Sequence, residues 1–158
     1  MKKLMFLLLA SGLFFQSCQK DEPVVTFDTE YVVFGVFAGF CVGEECVEIF
    51  KIENGVLYED QKDNYPSFSD PYVGEYVQVD DSKYQMVKDL EDFMPDQLLD
   101  ETETVFGQPD AADQGGYYFE IKRDGVQYHY RFDTFKDSNP DYLHDFLDVL
   151  ADYVIKAK

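Results

Sequence analysis

The sequence has few basic residues. Its 158 residues include 13 Lys and Arg against 32 Asp and Glu, and the formal net charge at pH 7 is −19. Nucleic-acid binding needs a basic footprint on the protein surface, and docking on anionic lipid headgroups needs basic residues as well. We therefore expect no nucleic-acid partner, and no membrane contact except through a covalently attached lipid.

The motifs of several enzyme classes are also absent. The chain contains no Gly-x-Ser-x-Gly, no phosphate-binding loop and no His-Glu-x-x-His. It has two histidines, His129 and His144. The pattern places His129 opposite Glu120 on the exposed face of a hairpin, and His144 beside Asp148 on the polar side of a helix. Both are typical of surface polar pairs, so we predict no catalytic residue.

One long apolar run is present, at the N-terminus. Lys2 and Lys3 precede about a dozen mostly apolar residues, fewer than the roughly 20 that a membrane-spanning helix needs, which is typical of an export signal. Ser17 and Cys18 then resemble a lipobox. The pattern predicts a cleaved signal peptide over residues 1–17. It also predicts lipidation of Cys18, which begins a tether over residues 18–28.

The residues after Cys18 indicate a destination. The Gln-Lys-Asp-Glu of residues 19–22 resembles the Lys-plus-acid-pair signal that sends such lipoproteins to the outer face of the outer membrane. We expect a lipid anchor in the outer membrane with the domain exposed on the cell surface; the periplasmic face is the alternative. An envelope protein or a glycan is the expected partner.

Two further cysteines, Cys41 and Cys46, are separated by four residues. Outside the cytoplasm such a close pair is typical of a disulfide. A redox pair or half of a zinc site are the alternatives, although no second Cys or His cluster exists to complete a zinc site.

Residues 29–158 predict a single globular α+β domain. Strands over residues 31–41 and 46–52 meet at the cysteine pair, and Asn54-Gly55 is a two-residue turn into a third strand. Further expected elements are a short strand at 74–79, a helix capped by Ser82 and ended by Pro95, a weak strand at 102–106, and a last helix capped by Asn139. The expected fold is an antiparallel sheet of hairpins with two α-helices packed on one face.

Asp124-Gly125 is the strongest turn signal, and a two-residue turn fixes the register of the strands around it. Phe119 should face Tyr130 on the core side. On the other side, Tyr118 should face Arg131, and Glu120 should face His129.

The order of these elements resembles a known family. A Cys-Val-Gly-Glu-Glu-Cys-Val start leads to Asn-Gly, a Gly-Glu-Tyr strand, a helix, the Asp-Gly hairpin and a closing helix. This resembles a family of uncharacterised small Bacteroidota lipoproteins in which a Cys–Gly–Cys segment opens the sheet. The resemblance implies fold and compartment; the family has no ligand, reaction or catalytic residue to transfer.

Three functions fit these patterns. The first is a non-enzymatic binding or accessory module, which predicts an exposed aromatic patch on the sheet. The second is a carboxylate-based hydrolase, which predicts two converging acids of raised pKa in a deep pocket. The third is a calcium-stabilised structural domain with Asp60 and Asp63 as candidate ligands, although no cofactor is the first expectation.

The loop over residues 107–116 is the most unusual segment, because Pro109 and a Gly-Gly pair indicate a fixed backbone path. Function often lies on loops held by a rigid scaffold. Its possible site residues are Asp110, Asp113, Gly115 and Gly116.

Overall fold

A computed structural model of the protein describes residues 28–41 and 44–158. The predicted signal peptide, the predicted lipidation site Cys18 and nearly all of the predicted tether lie outside the described residues. Within the described ranges, no helix combines the length and the apolar composition that a membrane crossing requires.

The described residues form a mixed, mostly antiparallel sheet of seven strands, together with two α-helices, which confirms the α+β class. The sheet order is β4-β3-β2-β1-β6-β7-β5, and the pairing of β5 with β7 is parallel. The strands are β1 Thr29–Phe37, β2 Val47–Glu53, β3 Val56–Asp60, β4 Tyr76–Gln78, β5 Val105–Phe106, β6 Gly116–Arg123 and β7 Val126–Asp133. The helices are α1 Asp81–Val87 and α2 His144–Ala157.

The turn residues act as the sequence predicts. Asp124 and Gly125 both have positive φ, 52° and 78°, the conformation of a type I′ turn whose twist matches that of the two strands it joins. The register follows from this turn: Phe119 pairs with Tyr130, Tyr118 with Arg131, and Glu120 with His129. These predicted pairs are therefore confirmed.

The disulfide between Cys41 and Cys46 is confirmed, with a Cα–Cα distance of 5.5 Å. It joins the end of the segment after β1 to the turn before β2, and the amide of Ala38 donates to the carbonyl of Cys46 beside it. The connection between two neighbouring strands is thus closed covalently.

Both helices differ from their predicted starts. Asp80, not Ser82, caps α1: its carboxylate accepts from the amide of Ser82 at 2.8 Å. Asn139 does not cap α2, because its side-chain Nδ2 donates to the carbonyls of Asp133 and Phe135, and the α-helix begins only at His144. At α1 an acceptor two residues before Ser82 replaces the predicted cap, and at α2 backbone carbonyls within reach take the side chain of Asn139.

Two other elements are shorter than predicted. The first helix ends at Val87 instead of Pro95, and Leu90–Phe93 continues as a 3-10 turn. The strand expected at residues 102–106 contains two residues, Val105 and Phe106, beside β7.

The helices share one core with the sheet. Phe34, Phe119 and Phe132 from the strands are fully buried together with Leu147 and Leu150 from α2. The rings of Phe119 and Phe146 meet edge to face at 5.0 Å. No side chain caps the N-terminus of α2, so the burial of its apolar face against the sheet is what holds this helix in place.

A second buried cluster is formed by strand side chains that alternate with those of the first core, together with Tyr72. Its members are Val33, Phe37, Val47, Ile49, Tyr72 and Tyr118. Tyr72 belongs to residues 61–75, which we name the covering loop. The expectation that the face of Glu120 and His129 is exposed is wrong for Glu120, which is 1% exposed. Its neighbours Tyr118 and Arg131 are also fully buried, because the covering loop packs on them.

Candidate functional site

The covering loop is held at both ends by one buried carboxylate. Asp60, at the end of β3, is 3% exposed. Its Oδ1 accepts from the amide of Glu75 at 2.5 Å. Its Oδ2 accepts from the hydroxyl of Tyr72 at 2.5 Å and from the amide of Asp63 at 3.0 Å. Because charged acceptors make the stronger hydrogen bonds, Asp60 fixes where the loop leaves the sheet and where it returns.

A second buried carboxylate holds the middle of the loop. Glu120 Oε2 accepts from the hydroxyl of Tyr118 at 2.5 Å and from the amide of Tyr72 at 3.0 Å. Its Oε1 accepts from Tyr31 at 3.0 Å and Gln127 at 2.8 Å. Burial and the adjacent carboxylate raise the pKa of the Tyr118 hydroxyl, so it remains a donor to Glu120. All four partners are neutral, so no cation balances this charge directly.

An acidic cleft beside Asp60 is the place where a carboxylate-based hydrolase or a calcium site would lie. A cleft of about 310 Å³ is lined by Glu48, Glu59, Asp60 and Asp63. Burial, together with Glu59 and Asp63, raises the pKa of Glu48, although Lys158 at 3.7 Å opposes the shift. Both oxygens of Asp60 in that cleft already accept from internal donors. Across residues 28–41 and 44–158, no group of three or more His, Cys, Asp or Glu side chains could hold a metal ion.

Arg131 is the exception to this pattern of satisfied charges. It lies on β7 beside Tyr118 and is 0% exposed. None of its three guanidinium nitrogens has a hydrogen-bond acceptor in the described part of the chain. Its guanidinium carbon lies over the ring of Phe68 at 5.0 Å and over that of Tyr118 at 5.7 Å.

The two rings offset only part of the cost of burying Arg131. Taking a charged side chain out of water costs several kcal/mol even after the protein relaxes. Cation–π contacts return about 2 kcal/mol when they are desolvated. The five N–H groups of the guanidinium remain available, in a planar arrangement that matches a carboxylate. Among the residues that the structure describes, Arg131 is thus a buried cation without an anion.

One exposed aromatic side chain, Phe68, covers this position, and two others lie on the neighbouring segments. Phe68 is 56% exposed and Phe40 is 87% exposed. The ring centroid of Tyr65 is 6.4 Å from that of Phe68. Tyr65 also lies close to Gly39, the residue before Phe40, since a Cβ added to Gly39 would be 3.3 Å from its ring. We name Phe40, Tyr65 and Phe68 the aromatic patch.

The residues predicted as a loop site help to build this patch. Asp110 Oδ2 accepts from the amide of Gly39 at 2.7 Å and from the hydroxyl of Tyr65 at 3.0 Å. Burial and Asp110 raise the pKa of Tyr65 to about 12. Asp110 therefore links three segments that are far apart in sequence.

The other predicted loop residues have different positions. Gly115 donates to Asp110 Oδ1 at 3.1 Å, and its φ of 72° is one that glycine adopts without strain. Gly116 begins β6, where a Cβ would lie 2.5 Å from the ring of Phe37. Asp113 is exposed and has no ion pair or hydrogen bond from its side chain to the described residues. The structure brings Asp110 and Gly115 together and leaves Asp113 apart.

Sequence reasoning missed Arg131, although it placed the residue correctly opposite Tyr118. The alternation of side chains along β7 placed Arg131 on the polar side of the hairpin, and that side was expected to face water. A signal was present in the covering loop, where Tyr65, Phe68 and Tyr72 are spaced among prolines and serines. So many rings in a polar loop indicate a segment that packs on something.

The two histidines occupy unlike environments. Burial and then the charge of Arg131 lower the pKa of His129, while Glu120 and Asp70 act in the opposite direction. His144 does not pair with Asp148. Its Nε2 lies 3.1 Å from the carbonyl oxygen of Asn139, and Asp148 instead contacts Lys136 at 2.5 Å.

No protein-family model matches the chain, and no curated protein sequence matches it.

The charge of Arg131 should be measurable at His129. Replacing Arg131 with Gln removes a positive charge that opposes imidazole protonation, so the pKa of His129 should rise. Replacement with Lys keeps the charge and should leave the pKa low. NMR titration of the imidazole signals measures both variants, with the signal of His144 as the internal reference. A His129 pKa that is the same in the Gln and Lys variants would show that Arg131 does not act on it.

Proposed function

We propose that this protein is a lipoprotein of the outer membrane, displayed on the cell surface, that acts as a non-enzymatic binding or accessory module. The aromatic patch expected on the sheet itself is not found around Tyr118, because the covering loop packs on that face. The observation that carries the binding role is instead the aromatic patch of the connecting segments, in which Phe68 lies over Arg131. Ligand sites are commonly lined by apolar and aromatic side chains around a few well-placed polar groups. Exposed rings over a buried charge without an acceptor have that composition.

The lipid anchor rests on the sequence before the described residues. A basic start, an apolar run and Cys18 after a small residue are the features of a lipoprotein signal. Each buried CH₂ of an attached lipid contributes about 0.8 kcal/mol, so two or three chains would anchor the domain stably. The net charge of −19 fits a domain that stays soluble beside an anionic cell surface.

We also propose that the sheet is built of hairpins and that both helices pack on one face. We propose further that the chain is a relative of the small Bacteroidota lipoproteins that it resembles. The separation of the helix-containing core from the cluster around Tyr72 and Tyr118 supports the one-face arrangement.

The two alternatives have less support. A hydrolase would need two acids that share a pocket and differ in pKa. The acidic cleft offers Glu48, but its neighbour Asp60 is engaged by three donors that hold the covering loop. A calcium-stabilised domain would draw on the same Asp60 together with Asp63, whose amide donates to Asp60.

Replacing Cys18 with Ala tests the anchor. Without the thiol no lipid can be attached, so we expect no fatty-acid labelling and an unprocessed precursor in the cell. Replacing Ser17 with Ala keeps a small residue before the cysteine and should leave labelling intact. Metabolic labelling followed by gel electrophoresis gives the answer, and a labelled Cys18 variant would contradict the proposal.

The binding role is tested on the full-length lipidated protein in its native envelope. We expect chemical cross-linking to capture a specific partner. Capture should be lost when Phe40 and Phe68 are both replaced with Ala, because these two rings are exposed and form the patch. Ile155→Ala is the matched control, since it removes an exposed apolar side chain on α2.

Two outcomes would contradict this role. One is a partner captured equally by the patch variant and by the Ile155 control, which would place binding elsewhere. The other is the absence of any partner that depends on the native sequence of the patch.

A further inference from the structure

We infer that Arg131 is the ligand-binding charge of this module, and that it takes a single carboxylate carried on a sugar ring or an apolar body. The inference rests on the proposed binding function and names the chemical class of its ligand.

The first step is the charge state of the site. Glu120 and Asp60 are buried acids, and each is satisfied by hydroxyl, amide or carboxamide donors. Arg131 is the buried cation of the same sheet face, and its guanidinium has no acceptor among the described residues. Tyr118 lies between the two charges, since its hydroxyl donates to Glu120 while its ring faces Arg131. The described part of the chain therefore offers Arg131 no acid of its own.

The second step is the type of anion. The guanidinium is planar and presents paired N–H groups, which match the two oxygens of a carboxylate. Asp70 and Glu120 act electrostatically on the adjacent His129, and Asp110 lies beside Tyr65. A second negative charge on the ligand would meet these acids, whereas one negative charge is neutralised by Arg131. A monocarboxylate therefore fits better than a phosphate or a polyanion.

The third step is the body of the ligand. Phe68 and Tyr65 are exposed rings whose centroids are 6.4 Å apart, and Tyr65 packs edge to face on Phe37 at 5.1 Å. Sugar rings and apolar side chains both pack on such surfaces. A carboxylate bound at Arg131 would place its attached group against them.

The fourth step is access. Phe68 covers the guanidinium, so the ring must move before a ligand can reach it. It lies between two fixed points of the covering loop, the hydrogen bond of Tyr65 to Asp110 and that of Tyr72 to Asp60. The hydrogen bonds of residues 67–70 are local and exposed. A movement of Phe68 alone can therefore expose Arg131 without detaching the loop.

The chain contains two arginines, which makes a direct test possible. Arg123 is the matched internal control, since its Nε donates to Thr29 at 3.3 Å and its guanidinium lies 3.9 Å from Asp96. Full-length protein labelled with ¹⁵N only in arginine should show one Nε–Hε signal for each. Acetate is the minimal probe, glucuronate carries the carboxylate on a sugar, and N-acetylphenylalanine carries it on an apolar body. Glucose and N-acetylphenylalanine amide are the uncharged counterparts.

We expect the Arg131 signal to move saturably with the carboxylates and not with their uncharged counterparts, while the Arg123 signal stays in place. The stronger of the two larger probes identifies the body that the aromatic patch prefers. Because the ring of Phe68 is itself more than half exposed, its cation–π contact belongs to the weaker range, roughly 1 kcal/mol. In Phe68→Ala this contact no longer has to be broken, so acetate should bind about fivefold more tightly. In Arg131→Lys, which keeps the charge but loses the planar guanidinium, carboxylate binding measured by calorimetry should weaken about tenfold.

An Arg131 signal that does not move at tens of millimolar carboxylate would overturn the inference, as would equal movement of both arginine signals. Phosphate binding more tightly than every carboxylate would overturn the choice of anion. These failures differ from failure of the binding function. If carboxylates do not bind but the partner captured in the envelope still depends on Phe40 and Phe68, the module stands and its ligand is of another class.

Discussion

The position of the covering loop depends on Tyr72, which is held between two buried carboxylates. Its hydroxyl donates to Asp60 and its amide is shared by Tyr118 and Glu120. Leaving a buried charged group without its partners costs more than an ordinary hydrogen bond contributes. A displaced Tyr72 would remove a donor from each acid at once. The loop therefore has one favourable position on the sheet, and the second face is closed by it.

The placement of Arg131 follows from this constraint. Once Tyr72 fixes the loop, Phe68 lies above the guanidinium and Tyr118 beside it. The two acids on this face are satisfied by neutral donors, so neither needs the arginine. A buried ion pair would have been a common solution for such charges. The separation of acid and base on one face leaves a cation ready for an external anion, beneath rings that are exposed to solvent.

Much of the fold could be predicted from local signals. Asp124-Gly125 determines the turn, and the turn determines every pair between β6 and β7, including Tyr118 with Arg131. The close spacing of Cys41 and Cys46 was enough to predict the disulfide between them. The starts of both helices could not be predicted, because Asp80 competes with Ser82 as a cap and because backbone carbonyls take the side chain of Asn139. The sequence makes each capping pattern equally plausible.

The candidate site was hidden from the sequence for a different reason. Alternation along β6 and β7 separates core positions from polar positions, but it cannot say whether the polar positions meet water. Whether the polar positions meet water depends on the covering loop. The hydrogen bonds that anchor this loop join distant parts of the sequence; Tyr72 and Glu120, for example, are 48 positions apart. The loop around Asp110 shows the same limit: Pro109 and the Gly-Gly pair predicted a fixed path, while the contact of Asp110 with Tyr65 depends on the folded chain.

Amide hydrogen exchange tests most directly whether fixed anchors hold a movable segment over Arg131. The amides of Asp63, Tyr72 and Glu75 donate to the buried carboxylates, and they should exchange as slowly as the strands. The amides of Phe68 and Ser69 should exchange much faster, because the described residues offer no buried acceptor to either. If Tyr72 exchanges as fast as Phe68, the loop is not anchored and the account of the site is wrong.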